Sequence, residues 1–113
     1  MECIFCKIAN GEIPTEKVYE DDRIIAFKDV NPGAPVHILI IPKKHIPGLS
    51  ALTEDDTALM GKIILIAAQL AKEMSVSESG FRIVANNGPD AGQSVGHIHF
   101  HLLGGRKLGW PPG

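Results

Sequence analysis

The segment Gly96-His97-Ile98-His99-Phe100-His101-Leu102-Leu103 sets three of the chain's five histidines at every second position. Period two is the repeat of an extended strand, whose successive side chains leave on opposite faces. The pattern predicts a strand over residues 98–103, with Ile98, Phe100 and Leu102 turned into a core and the imidazoles on the other face. Along such a strand His97 and His101 stand roughly 13 Å apart, whereas ligand nitrogens on one zinc ion each sit about 2 Å from the metal. Three on one ion is strained, so geometry divides the triplet between jobs. Neutral imidazole is also a nucleophile near pH 7, and on phosphorus it forms a covalent intermediate that splits a hard displacement into two easier ones.

The rest of the chain supplies a frame for that strand. Thr53-Glu54-Asp55-Asp56 resembles a capping box with Asp in the place of Glu, and behind it Leu59, Ile63, Ile66, Leu70 and Met74 share one helix face. A short helix is expected over residues 3–10, where Ile4 and Ile8 share a face, Gly11 takes the left-handed stop and Pro14 blocks continuation. Runs of branched and aromatic residues predict further strands over 17–19, 24–28, 36–41 and 81–85. Residues 29–35 are too few for a helical crossover, so the second and third strands form an antiparallel hairpin. The class is α+β. An open sheet of this size has edges that self-association covers, which points to a homodimer.

A chain of 113 residues is expected to be one domain, 1–113. Thirteen acidic against eleven basic residues leave a charge of -2, no footprint for a nucleic-acid polymer. The longest apolar run, residues 63–68, is far short of the roughly 20 needed to cross a bilayer. The first residues lack a secretion signal, so a cytoplasmic protein is expected, with Cys3 and Cys6 as thiols or metal ligands. Cys3-Ile4-Phe5-Cys6 does not follow a strand as a thioredoxin-like motif does; it supplies half of a tetrahedral zinc site, and two more ligands are needed. The stretch from Asn86 to Gly96 carries glycines that allow close backbone approach, with Gln93, Ser94 and N–H groups able to surround an oxyanion.

His97-Ile98-His99-Phe100-His101-Leu102-Leu103 resembles the histidine triad (HIT) motif, three alternating histidines followed by two apolar residues. The similarity covers nearly the whole chain. It takes in Ile13-Pro14, Glu20-Asp21-Asp22, Ala26-Phe27-Lys28-Asp29, His37 with Ile41-Pro42-Lys43-Lys44-His45, Gly92-Gln93-Ser94 and Leu103-Gly104-Gly105-Arg106. The ending Trp110-Pro111-Pro112-Gly113 resembles the Hint-like branch, whose members resemble purine nucleoside phosphoramidases.

The resemblance implies a HIT-like fold, a five-stranded antiparallel sheet with one long and one short helix. It implies that His99 attacks the α-phosphate of a nucleotide, that His101 and His37 hold the phosphate and tune the nucleophile, and that Ser94 assists departure of an amine. It places Gln93, Ser94 and Asn86 at the phosphate and Asp29 at the ribose hydroxyls. Ile4, Phe5, Ile8, Phe27, Val30 and Leu39 match positions around a purine, and Trp110 a tail residue that approaches the partner subunit's site. Read without the family, Asp29 is a turn former, the apolar residues are ordinary core, Trp110 is a packing anchor and Lys43 and Lys44 are solvated charges. The resemblance also implies a structural zinc on Cys3, Cys6, His45 and His97, as in some bacterial HIT proteins, clamping the N-terminus to the last strand. The implied substrate is a purine nucleoside phosphoramidate. Dinucleoside polyphosphate cleavage, or a zinc-stabilised nucleotide-binding module with incidental turnover, shares the same pocket.

Overall fold

The structure is a computed structural model and describes residues 3–113. Helix α1 (Ile4–Ala9) is followed by β1 (Lys17–Glu20), β2 (Ile24–Lys28) and β3 (Val36–Pro42). Then come α2 (Thr57–Glu73), β4 (Phe81–Ala85) and β5 (Phe100–Gly104). The sheet runs β1-β2-β3-β5-β4 with every neighbouring pair antiparallel, as the α+β reading and the HIT-like fold require.

Each face of the sheet has its own apolar layer. Ile24, Ala26, Ile38, Ile40, Phe100 and Leu102 pack with Leu59, Ile63, Ile66 and Leu70 of α2. Ile25, Phe27, Leu39 and Ile41 point the other way and pack with Phe5 and Ile8 of α1. Strands β2 and β3 are thus covered on both sides, which is why they read as unbroken apolar runs instead of alternating ones. The β1–β2 turn is built on Asp21, whose carboxylate accepts from the Arg23 and Ile24 amides, the Tyr19 hydroxyl and Lys62 of α2. Burial opposes the charge, but these donors hold the Asp21 carboxyl well below its usual range.

Four local expectations are adjusted by the structure. The capping box of Thr53 and Asp56 forms, but it closes a single tight turn over Glu54–Asp56, and the α-helix proper starts at Thr57. On α1 the buried pair is Phe5 and Ile8, while Ile4 is half exposed, because the helix presents its i, i+3 edge to the sheet. Strands β1 and β3 each run one residue further than expected. The histidine strand begins at Phe100, two residues late. His97 and Ile98 leave the ladder because stronger partners lie elsewhere: the Ile98 amide donates to the Ile46 carbonyl at 2.6 Å and the His97 ring donates to the Pro42 carbonyl at 2.8 Å. The three imidazoles therefore do not share one flat strand face.

Candidate active site and metal centre

In the β3–β5 register Leu39 lies opposite His101 and His37 opposite Leu103, so the His37 and His101 rings are diagonal neighbours on the α1 side of the sheet. Their protons are fixed by the backbone. The Gly33 amide donates to His37 Nδ1 at 2.8 Å, so that nitrogen carries no hydrogen and Nε2 does. His37 Nε2 lies 2.8 Å from His101 Nδ1 and 3.4 Å from the Asp29 carboxylate. It donates to His101 Nδ1, which leaves the His101 proton on Nε2. Burial lowers the pKa of both rings; His101, further depressed by its His99 and His37 neighbours, is brought down to about 4. Both are neutral at pH 7. Asp29 is held beside them by an Asx turn, its Oδ1 accepting from the Asn31 amide at 2.8 Å.

His99 is buried, with Nδ1 2.8 Å from the carbonyl of His97. A carbonyl only accepts, so Nδ1 carries the proton and Nε2 keeps its lone pair. Phe5 packs edge-on against this ring with centroids 5.1 Å apart, and His101 lies at the same centroid distance on another side. The arrangement offers a nucleophilic nitrogen beside an N–H donor, the combination that attack on a phosphoryl group uses.

A second cluster lies on the far side of His97. Its Nδ1 is 3.4 Å from Cys3 Sγ, 3.6 Å from Cys6 Sγ and 3.2 Å from His45 Nδ1, while Cys6 Sγ and His45 Nδ1 are 3.2 Å apart. A zinc tetrahedron with arms of about 2.0–2.3 Å has edges of about 3.3–3.8 Å, so these four atoms stand close to where such an ion would want them. The chemistry of the donors agrees. The fully buried His97 gives its Nε2 proton to the Pro42 carbonyl, which presents Nδ1 as a lone pair and orients the ring as the outer partner of a metal-bound imidazole does. Burial, then the adjacent Cys3 thiol, pushes the Cys6 thiol up, a crowding of soft donors that a divalent cation relieves. Cys3 also caps α1, its Sγ accepting from the Cys6 amide.

The other sequence-predicted residues fall in distinct places. Phe5, Ile8, Phe27 and Leu39 form one apolar wall with Ile25 and Ile41, whereas Ile4 and Val30 are 50% and 87% exposed and do not belong to it. Gln93 braces its own loop: its Oε1 accepts from Gly88, and its Nε2 donates to the Pro47 and Val95 carbonyls. Ser94 is exposed and, with Cys3, Ile4, Ile13, His45 and Val95, lines an open depression beside the thiol cluster. Asn86 directly follows β4 and is half buried. Trp110 is 82% exposed, and the tail before it is tied by Arg82 donating to the Gly109 carbonyl. Lys43 and Lys44 are not merely solvated, being paired with Glu20 and the buried Asp56.

Sequence reasoning missed several contributors. Asn87 Oδ1 accepts from the Ser50 amide, and a Cβ on Gly48 would come within 2.5 Å of that oxygen, so the contact needs glycine. The carbonyls of Pro42 and His97 and the amide of Gly33 set three histidine tautomers, yet backbone groups leave no residue-type signal.

The comparisons agree with this geometry. The HIT domain matches residues 10–108. A crystal structure of a HIT family hydrolase from Legionella pneumophila superposes with TM-score 0.98 at 52% identity, covering 99% of this chain and 100% of that one. A 14 kDa zinc-binding protein of Zea mays is 49% identical, over 97% of this chain and 87% of its own. The adenylylsulfatase HINT1 of Arabidopsis thaliana is 49% identical, over 97% of this chain and 76% of its own. On this fold, this motif and these relatives, the chain belongs to the HIT family.

Proposed function

We propose that this protein is a nucleotide-binding hydrolase that cleaves nucleoside 5'-phosphoramidates through a nucleotidyl-His99 intermediate. The observation that carries the reading is the His99 Nδ1–H bond to the His97 carbonyl, which leaves Nε2 as a buried lone pair. In the first step Nε2 bonds to the α-phosphorus, the P–N bond to the amine breaks, and Ser94 assists protonation of the departing nitrogen. The positive charge gained by the ring is offset through Nδ1–H, while His101 Nε2–H donates to a phosphoryl oxygen. Water then breaks the His99–phosphorus bond, releasing a nucleoside monophosphate and the free imidazole. Asp29 holds the ribose hydroxyls, Gln93 shapes the loop from which Ser94 and Asn86 meet the phosphate, and Phe5, Ile8, Phe27 and Leu39, with Ile4 and Val30 at the margin, contact the purine.

Cys3, Cys6, His45 and His97 would hold a structural zinc, which supplies a cross-link between α1 and the segments flanking β3 and β5. The zinc-binding name of the maize relative and the four-donor cluster support this. We also propose that residues 1–113 act as one HIT domain and that two copies associate, with Trp110 reaching the partner subunit's site. The exposed Ile64 and Leu65 of α2 and the edge position of β4 support the association. No helix among the described residues is long and apolar enough to cross a membrane; free thiols suit the cytoplasm.

A second reading has its own support. The Arabidopsis relative is named an adenylylsulfatase, which points to sulfate as a leaving group on the same adenylyl phosphorus. A panel of adenosine and guanosine phosphoramidates, adenylyl sulfate and dinucleoside polyphosphates, with quenched-reaction mass spectrometry, separates these. Fast phosphoramidate turnover with one nucleotidyl group on His99 is expected. Turnover without that adduct in rapid-quench samples sinks the covalent mechanism.

A further inference from the structure

Arg106 follows β5 and has no part in the groups described so far, yet its guanidinium reaches back across the loop between β2 and β3. Nη2 and Nε both donate to the Gly33 carbonyl, at 2.8 and 3.3 Å, and Nη1 donates to the Lys107 carbonyl at 3.1 Å. The approach depends on Gly105, which has φ +91° and where an added Cβ would meet Pro35 at 2.9 Å. Two loops are thereby pressed together and tied by a fork of two N–H groups on one oxygen, a geometry that the planar guanidinium supplies and an ammonium does not.

The tie matters because of what Gly33 does with its other end. Its amide is the donor to His37 Nδ1, and His37 Nε2 is in turn the donor to His101 Nδ1. A neutral imidazole has two tautomers, and which one is present is set by the partner on the other nitrogen. Residues 31–35 belong to no strand, so no ladder holds the Gly33 amide in place. The loop is pinned at its start by the Asp29–Asn31 turn and in its middle by Arg106.

We infer that Arg106 is a positioning residue: by holding Gly33 it keeps the His37 proton on Nε2 and, through that bond, keeps Nε2–H of His101 as the donor available to the phosphoryl group. Its side chain is exposed and contributes nothing to the apolar layers, so its effect passes through the relay Gly33–His37–His101. The consequence for rate rests on the covalent hydrolase reading; the consequence for the tautomers does not.

The test compares wild type, Arg106→Gln and Lys107→Gln, the last removing a neighbouring positive charge while leaving the bonds to Gly33. Histidine-selective 15N NMR reports the tautomers of His37 and His101, and rapid quench with an adenosine phosphoramidate reports the rate of adenylylation. In Arg106→Gln the His37 Nδ1 signal is expected to move from the unprotonated position toward the tautomeric average, with adenylylation about tenfold slower and KM within about twofold. Lys107→Gln should match wild type in both. If His37 in Arg106→Gln keeps its single Nε2–H tautomer, the inference is overturned, whatever happens to the rate. If wild type forms no adenylyl adduct, the hydrolase reading fails, and the NMR comparison still judges the relay.

Discussion

Which nitrogen of His99 keeps its lone pair is decided by an oxygen two residues upstream. With Nδ1–H on the His97 carbonyl, only Nε2 has a free lone pair, and the ring is buried with its orientation set by that bond and by the edge of Phe5. His99→Asn keeps a donor near the Nδ1 position but is smaller and removes the imidazole lone pair. It is expected to lower turnover by at least about a thousandfold and abolish the mass adduct, with nucleotide affinity by calorimetry within a few-fold of wild type. His101 has a different signature. Its pKa falls from the ordinary 6.5 to about 4 on folding, so between these values the unfolded chain holds the extra proton and the native state does not. Stability from this residue is complete above pH 6.5 and is lost as pH falls toward 4. The drop in melting temperature between pH 7 and pH 5 should therefore be smaller in His101→Asn than in wild type by scanning calorimetry. Much of this residue-level picture was legible beforehand. The spacing of His97, His99 and His101 set His97 and His101 too far apart for one ion, and the two rings do lie in separate clusters; that much is local geometry. What set each tautomer was not legible, because Gly33, Pro42 and His97 act through main-chain atoms that every residue has.

At the scale of elements, the two ends of β5 carry opposite lessons. Its start was misjudged because His97 and Ile98 satisfy strand periodicity while their hydrogen bonds go to Pro42 and Ile46. Its end is closed by Gly104, where an added Cβ would lie 2.9 to 3.1 Å from three carbons of Val76. Val76 is β-branched and buried, so it gives little. Gly104→Ala is expected to cost about 2 kcal/mol by urea denaturation, and adding Val76→Ala should recover part of it, giving clear non-additivity. Helix α1 poses the converse case. Six residues cannot hold a helix by themselves, and only Phe5 and Ile8 are buried. If the thiols and histidines bind zinc, Cys3→Ser/Cys6→Ser should lose the metal by mass spectrometry under native conditions and melt at a lower temperature, with added zinc raising the melting point of wild type alone. Equal metal content and equal melting in the two proteins would remove the cross-link. The CxxC pair was visible from spacing alone; that His45 and His97 complete it depended on the family resemblance, because they come from segments 52 residues apart.

For the whole molecule, the sheet order β1-β2-β3-β5-β4 puts β3 and β5, which carry His37 and His101, in the interior and leaves β1 and β4 as edges. Charged residues such as Lys17 and Glu20 guard β1, whereas β4 is only partly covered along its whole length. Light scattering is expected to give twice the chain mass, and Leu65→Glu, which places a charge on a side chain 72% exposed on α2, should shift it toward the monomer. A single-chain mass in wild type would exclude the dimer. The fold class followed from the sequence because helix and strand periodicities are strong in a chain this short; Ile64 and Leu65 fall off the face of Leu59, Ile63, Ile66 and Leu70 and are exposed, but helix periodicity does not say what covers them. His97 carries the widest consequence. Any amino acid at that position brings a carbonyl, but this ring, by donating to Pro42, also anchors the peptide that aims it, so a substitution there is expected to disturb both the thiol cluster and the ring two positions on. A library of substitutions at position 97 would accordingly sort by how well each keeps the direction of one C=O bond, and hydrophobicity would be a poor guide to which survive.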